Sequence, residues 1–122
     1  IIGMGQKDNF WQMGDTGPCG PCTEIHYFLG DKPDLGLFDQ EPTADGRGWM
    51  EIWNLVFMQF DRSLQGGAYK LAPLPAPCVD TGAGLERLAC VLQGKVTNYD
   101  TDVLRGLVDK ASTLAGKAYR GT

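Results

Sequence analysis

Asp80, Gly82, Gly84 and Arg87 stand within eight positions of one another, in the run Val79-Asp80-Thr81-Gly82-Ala83-Gly84-Leu85-Glu86-Arg87-Leu88. Glycine lacks the Cβ that holds a ligand away from the backbone, and it tolerates positive φ, so the run reads as a short bend open to a ligand. Arg87 carries a permanent charge on a flat guanidinium that stacks on a base or forks onto phosphate. Together these suit a nucleoside triphosphate, and they do so without G-x-x-x-x-G-K-[ST], which occurs nowhere in the chain. Asp80 has two readings: a carboxylate that pairs with a substrate ammonium, or a turn residue that accepts from the Gly82 or Ala83 amide. Arg87 and Glu86 also read as solvent-facing helix residues.

Other candidates lie upstream. In Trp49 to Phe60, Met50, Ile52, Asn54, Val56, Met58 and Phe60 share one face, and Glu51, Trp53, Leu55, Phe57 and Gln59 the other. Both faces are largely apolar, which predicts a central strand covered on both sides, with Trp53 in the core. Asn54 breaks the apolar pattern, and a buried amide there needs partners from the protein or from a ligand. Trp11 is a flat side chain fit to wall a small pocket or to pack in a core. His26, the only histidine, sits two residues past Glu24 and reads as structural, since nothing pairs it with a nucleophile.

Gly17-Pro18-Cys19-Gly20-Pro21-Cys22 contains a C-x-x-C with three readings. Zinc needs four ligands, and the other cysteines, Cys78 and Cys90, and His26 are scattered. A redox dithiol belongs at a helix start, and a strand follows here. The spacing favours a tight Gly-Pro loop whose thiols pack inward.

The elements that position these residues follow from local pattern. Asn9–Met13, Thr23–Phe28, Trp49–Phe60, Lys70-Leu71 and Cys78–Asp80 read as strands. Residues 14–21 read as a loop, 30–48 as a surface excursion, and 61–69 as a polar turn. Pro73, Pro75 and Pro77 force an extended path. Leu85 to Leu92 is a helix ended at Gly94. A second helix, capped by Asp100 or Thr101, carries Val103, Leu104, Leu107, Val108, Ala111 and Leu114 on one stripe and stops at Gly116. Strands joined by loops and followed by helices give an α+β class with an antiparallel sheet.

The 122 residues fit one domain at most, and the composition is that of a soluble globular protein. With a net charge of −4 and no Lys/Arg cluster, no patch for phosphate neutralisation is visible. No apolar run spans a bilayer, and no signal-peptide pattern opens the chain, so the reading is cytoplasmic, with reduced thiols. The start at Ile1, without Met, and the end at Thr122 read as cuts within a longer chain.

Taken together, these segments resemble the catalytic domain of the alanyl-tRNA synthetases, a family of class II aminoacyl-tRNA synthetases. The residues that carry the resemblance are Asp8 to Ile25, Glu51 to Phe60, Val79 to Leu88 and Asn98-Tyr99-Asp100-Thr101-Asp102. The resemblance implies residues 1–100 as the C-terminal half of the aminoacylation domain and 101–122 as the start of a helical tRNA-binding region. It implies Asp80 as the partner of the alanine ammonium, Trp11 and Val56 as walls around one methyl group, and Asn54 as the polar neighbour of the amino acid. Gly82, Gly84 and Arg87 correspond to the family's motif 3, where the Arg contacts ATP. The implied reaction joins alanine to ATP as alanyl-adenylate, with Mg²⁺ bridging phosphates, and passes alanine to tRNA(Ala). Motifs 1 and 2 of the family are not among these residues, so the chain alone is expected to be inactive, with no residue assigned as catalytic. Most tRNA contacts are expected elsewhere, as is any zinc site of the family. A paralogue that binds alanine or adenylate without catalysis is the alternative.

Overall fold

A computed structural model describes residues 1–119; the last three residues of the expected 101–122 region lie outside the described residues. Four strands precede two helices, β1 (Phe10–Gln12), β2 (Gly17–Leu29), β3 (Gly48–Gln65) and β4 (Ala68–Ala83), then α1 (Leu85–Leu92) and α2 (Asp102–Ala115). Short 3₁₀ turns cover Leu35–Leu37 and Asn98–Asp100. The strands form one sheet in the order β1-β2-β3-β4, with each strand beside its neighbour in sequence, as the α+β expectation requires. Among the described residues no helix is long and apolar enough to cross a membrane.

The strands are longer than local composition suggests. The expected loop at 14–21 shrinks, because β2 already begins at Gly17 and pairs antiparallel with β1, Gln12 opposite Cys19 and Phe10 opposite Pro21. Arg62 ties down the shortened connection. Its Nη1 donates to the Asp15 carbonyl at 2.8 Å, and its guanidinium lies 3.7 Å from the centre of the Tyr69 ring. The expected turn at 61–69 shrinks to Gly66-Gly67, with φ of 61° and 82°. Two successive positive φ values make the turn whose twist matches a right-twisted hairpin, and glycine adopts them without penalty. Pro73, Pro75 and Pro77 follow the expected extended path, and they do so inside the continuous β4 that joins the two short strands expected on either side. Proline is tolerated there because β4 ends the sheet order.

The chain divides into two compact units, each built from two stretches. The first holds Ile1–Glu24 and Trp53–Gly82. Its core is Cys22, Val56 and Met58, with Trp11 and Leu74 packed against them. Gly20 is required here by close approach: a Cβ on it would collide with the Phe57 carbonyl oxygen. The other face of β3 is not covered as expected. Trp53 and Phe57 are each 39% exposed, so Trp53 is not a core residue. The expectation failed because two apolar faces on one strand do not by themselves supply two layers to bury them.

The second unit holds Ile25–Ile52 and the residues from Ala83 onward. Trp49 packs edge-on to Phe28 and Phe38, and His26 packs against Phe38 with ring centres 5.1 Å apart, a structural use of the only histidine. Helices α1 and α2 are linked by a reciprocal pair: Gln93 Nε2 donates to Asp102 Oδ1 at 2.6 Å, and the Asp102 amide donates to Gln93 Oε1 at 3.0 Å. The apolar stripe of α2 stays largely open to solvent, Leu107 and Leu114 above all. Each helix ends as expected, at Gly94 and Gly116.

Candidate functional site

In the first unit, strand alternation sorts the candidate residues onto one face. Trp53 Nε1 donates to Thr81 Oγ1, which places Thr81 on the Trp53 face of the sheet. Its neighbour Asp80 therefore lies on the opposite face, the one shared by Asn54, Val56 and Met58. Trp11, Cys22 and Leu74 pack on the same face through the Val56 cluster, and Glu24 joins it through Asn54, whose Nδ2 donates to Glu24 Oε1 at 3.5 Å. Asp80, Asn54, Val56 and Trp11, four positions read from the sequence, thus share one side of one sheet.

The character of this face is an apolar floor with acceptors at its end. Val56 is buried at 6% exposure. Asn54 Oδ1 is buried and, among the described residues, has no hydrogen-bond partner. Leaving a buried acceptor unpaired costs about 1–3 kcal/mol, so a donor supplied by a ligand would be favoured there. Asp80 is exposed. Its Oδ1 accepts from the Thr81 amide at 2.9 Å, a local bond that steadies the carboxylate without enclosing it. The expected acceptance from Gly82 or Ala83 does not occur, because β4 remains extended through Ala83.

That extension also corrects the glycine bend. Neither Gly82 nor Gly84 has positive φ. Gly84 instead caps α1 in an extended conformation, φ −77° and ψ 113°. A Cβ on it would press on the Arg87 side chain at 3.1 Å, whereas around Gly82 the space is open.

Arg87 belongs to the second unit and is already engaged there. Its Nη1 donates to the Glu51 carbonyl at 2.7 Å and to Glu51 Oε2 at 3.1 Å, in an ion pair that is only partly exposed. It is therefore a held guanidinium rather than a free surface charge, and Glu51 is the residue that holds it.

Sequence reasoning missed Thr81 and Glu24 as members of this arrangement. The Thr81 hydroxyl accepts from Trp53 and donates to the Asn54 carbonyl at 3.1 Å, joining β3 to β4 beside both candidate polar residues. Its position next to Asp80 was the available signal. Glu24 could be found only once the register of β2 against β3 was known.

The C-x-x-C is part of β2, and Cys19 and Cys22 stand three residues apart on a strand, so they face opposite sides. Both are buried, as the inward-packing reading expects, though in a strand rather than a loop. Burial pushes the Cys19 thiol up, with Arg62 opposing and Asp61 adding to the effect. None of the four cysteines forms a disulfide. Among the described residues no group of three or more His, Cys, Asp or Glu is placed to hold a metal ion. The described residues therefore offer Mg²⁺ no such set of ligands.

An antiparallel sheet followed by helices, with Asp80, Asn54, Val56 and Trp11 on one face of the sheet, is consistent with the class, and the comparison agrees. The family model described as tRNA synthetases class II (A) matches residues 1–122, and the chain belongs to that family. The relatives narrow it further. The chain is 63% identical over 121 residues to the alanine–tRNA ligase of Sorangium cellulosum, covering 99% of this chain and 13% of that protein. It is 54% identical over 121 residues to the alanine–tRNA ligase of Anaeromyxobacter dehalogenans, covering 95% and 13%. It is 60% identical over 112 residues to that of Stenotrophomonas maltophilia, covering 92% and 12%. The chain thus matches a segment of alanine–tRNA ligases and spans about an eighth of the length of these relatives.

Proposed function

We propose that this segment supplies the amino-acid-binding face of an alanine–tRNA ligase acting in the cytoplasm. The observation that carries the reading is the buried Asn54 Oδ1, unpartnered among the described residues, on the face that also holds Asp80, Val56 and Trp11. Asp80 pairs with the α-ammonium of alanine, Asn54 Oδ1 accepts one of its N–H groups, and Val56 with Trp11 limits the side chain to a methyl group. A floor of this kind excludes larger side chains by overlap. It separates glycine or serine from alanine by only about 1–3 kcal/mol.

Gly82, Gly84 and Arg87 serve ATP. The Glu51 contacts hold Arg87 through Nη1, and the guanidinium has further donors for phosphate or a face for the base. The alanine carboxylate attacks the ATP α-phosphate, giving alanyl-adenylate and pyrophosphate, and the alanyl group then passes to tRNA(Ala). In such chemistry these residues position groups and offset charge rather than exchange protons. Residues 1–100 form the C-terminal half of the aminoacylation domain, and residues from 101 begin the helical tRNA-binding region. The 122-residue chain alone lacks residues for the α-phosphate and is inactive.

The test is Asp80→Asn in a full-length alanine–tRNA ligase containing this segment. Losing a charge-assisted pair worth about 1.5–3 kcal/mol lowers kcat/KM for alanine in ATP–pyrophosphate exchange by up to about 100-fold. The KM for ATP stays unchanged. Unaltered alanine kinetics in the variant would remove the assignment, and exchange by the isolated chain at a full-length rate would remove the claim of inactivity.

A further inference from the structure

We infer that Glu24 is a positioning residue that sets which end of the Asn54 amide meets the amino acid. This rests on the alanine-binding reading above. An asparagine amide has a donor end and an acceptor end of nearly equal shape, and a rotation of 180° about its last bond exchanges them. A carboxylate accepts and does not donate. With Glu24 Oε1 3.5 Å from Asn54 Nδ2, only one of the two orientations makes a hydrogen bond. The acceptor, Oδ1, is then turned away from Glu24, where it is buried and, among the described residues, unpartnered.

The consequence for recognition is one of sign. An α-ammonium carries only donors. Facing it with Oδ1 gives an attractive contact beside Asp80, whereas facing it with Nδ2 sets donor against donor. Glu24 thus selects the attractive orientation before any ligand arrives. The contact with alanine is made by Asn54, and Glu24 acts through it from the neighbouring strand. The Asn54 carbonyl is separately held by the Thr81 hydroxyl at 3.1 Å, so the backbone stays in place while the amide orientation depends on Glu24.

The test uses a full-length alanine–tRNA ligase containing this segment and reads alanine-dependent ATP–pyrophosphate exchange. Glu24→Gln keeps the shape but offers a donor as well as an acceptor, so both Asn54 orientations become satisfied. The expected result is a rise of about tenfold in the KM for alanine, with kcat and the KM for ATP within twofold of the parent. Asn54→Ala raises the same KM, and the double variant is no worse than Asn54→Ala alone, because Glu24 has nothing left to orient. Glu24→Asp, which accepts only but reaches one methylene less, falls between parent and Glu24→Gln; it also carries the test if Glu24→Gln melts at a lower temperature. Effects of Glu24→Gln and Asn54→Ala that multiply would overturn the proposal, as would a fall in kcat with the KM for alanine unchanged. If Asp80→Asn raises the KM for alanine and Glu24→Gln does not, the Glu24 assignment alone falls. If neither variant moves it, the alanine-binding reading falls with it.

Discussion

The two faces of β3 share a backbone and neighbouring strands, yet they treat polar groups in opposite ways. On the exposed face, Trp53 has its indole N–H satisfied by Thr81, although water could have served it. On the buried face, where water cannot serve, Asn54 Oδ1 is left without a partner among the described residues. A fold optimised for stability alone would do the reverse, because an unmet polar need is expensive where it is buried. The contrast sets the Asn54 face apart, and it supports the proposal that this face receives a ligand.

The comparison can be broken most severely by separating the strands that carry both faces. Gly20→Ala puts a methyl group into the Phe57 carbonyl, so β2 and β3 must part. A loss of about 3 kcal/mol is expected, at the upper end for overpacking. Chemical denaturation of the full-length ligase would register it, together with loss of alanine activation. Val56→Ala acts on the buried face alone: it opens a cavity beside Cys22 and Met58 and costs about 2 kcal/mol. If Val56 walls the proposed methyl site, activation of an amino acid one carbon larger than alanine rises relative to alanine, measured as a ratio of kcat/KM values. A smaller effect belongs to the exposed face. Thr81→Val removes the acceptor of Trp53 and the donor to the Asn54 carbonyl, which costs about 1 kcal/mol. A changed Trp fluorescence with little change in the KM for ATP would sharpen the assignment of Thr81 as a strand tie.

The mildest probe is chemical. Cys78 is exposed, whereas Cys19 and Cys90 are fully buried and burial pushes both thiols up. At pH 8 less of each buried group is thiolate than at an ordinary cysteine, so iodoacetamide should label Cys78 first, as read by mass spectrometry. The sign for stability follows. A thiol raised above its ordinary value of 9.0 stabilises the fold below pH 9, and that contribution is lost as pH climbs from there through the raised value. Rapid labelling of Cys19 would show β2 to be open rather than paired.

Much of this was legible in the chain before folding, for identifiable reasons. Alternation from Met50 to Phe60 named β3 and the face of Asn54 and Val56, because period two is a local property. The spacing of Leu85, Leu88 and Leu92 named α1 in the same way. Apart from the second covered face expected of β3, the readings that failed were those in which glycine and proline were taken as punctuation. Gly20 serves a close strand approach, Pro21 pairs opposite Phe10, and Gly82 lies in extended strand. The same residue types that break local structure also permit tight pairing, and only the partner strand decides between the two. Glu24 and Thr81 were missed because cross-strand contacts depend on register, which no window of one strand contains.

The three prolines of β4 have a consequence for growth of the sheet. Pro73, Pro75 and Pro77 are spaced by two, so their ring nitrogens all lie on one side of β4. With β3 bonded along the opposite side, the free margin from 73 to 77 offers carbonyls but no donors. A fifth strand cannot zip along that margin. Docking is left to the stretches on either side, Ala68 to Ala72 and Cys78 to Ala83, and a segment that extends the sheet along the second would come to rest alongside Asp80.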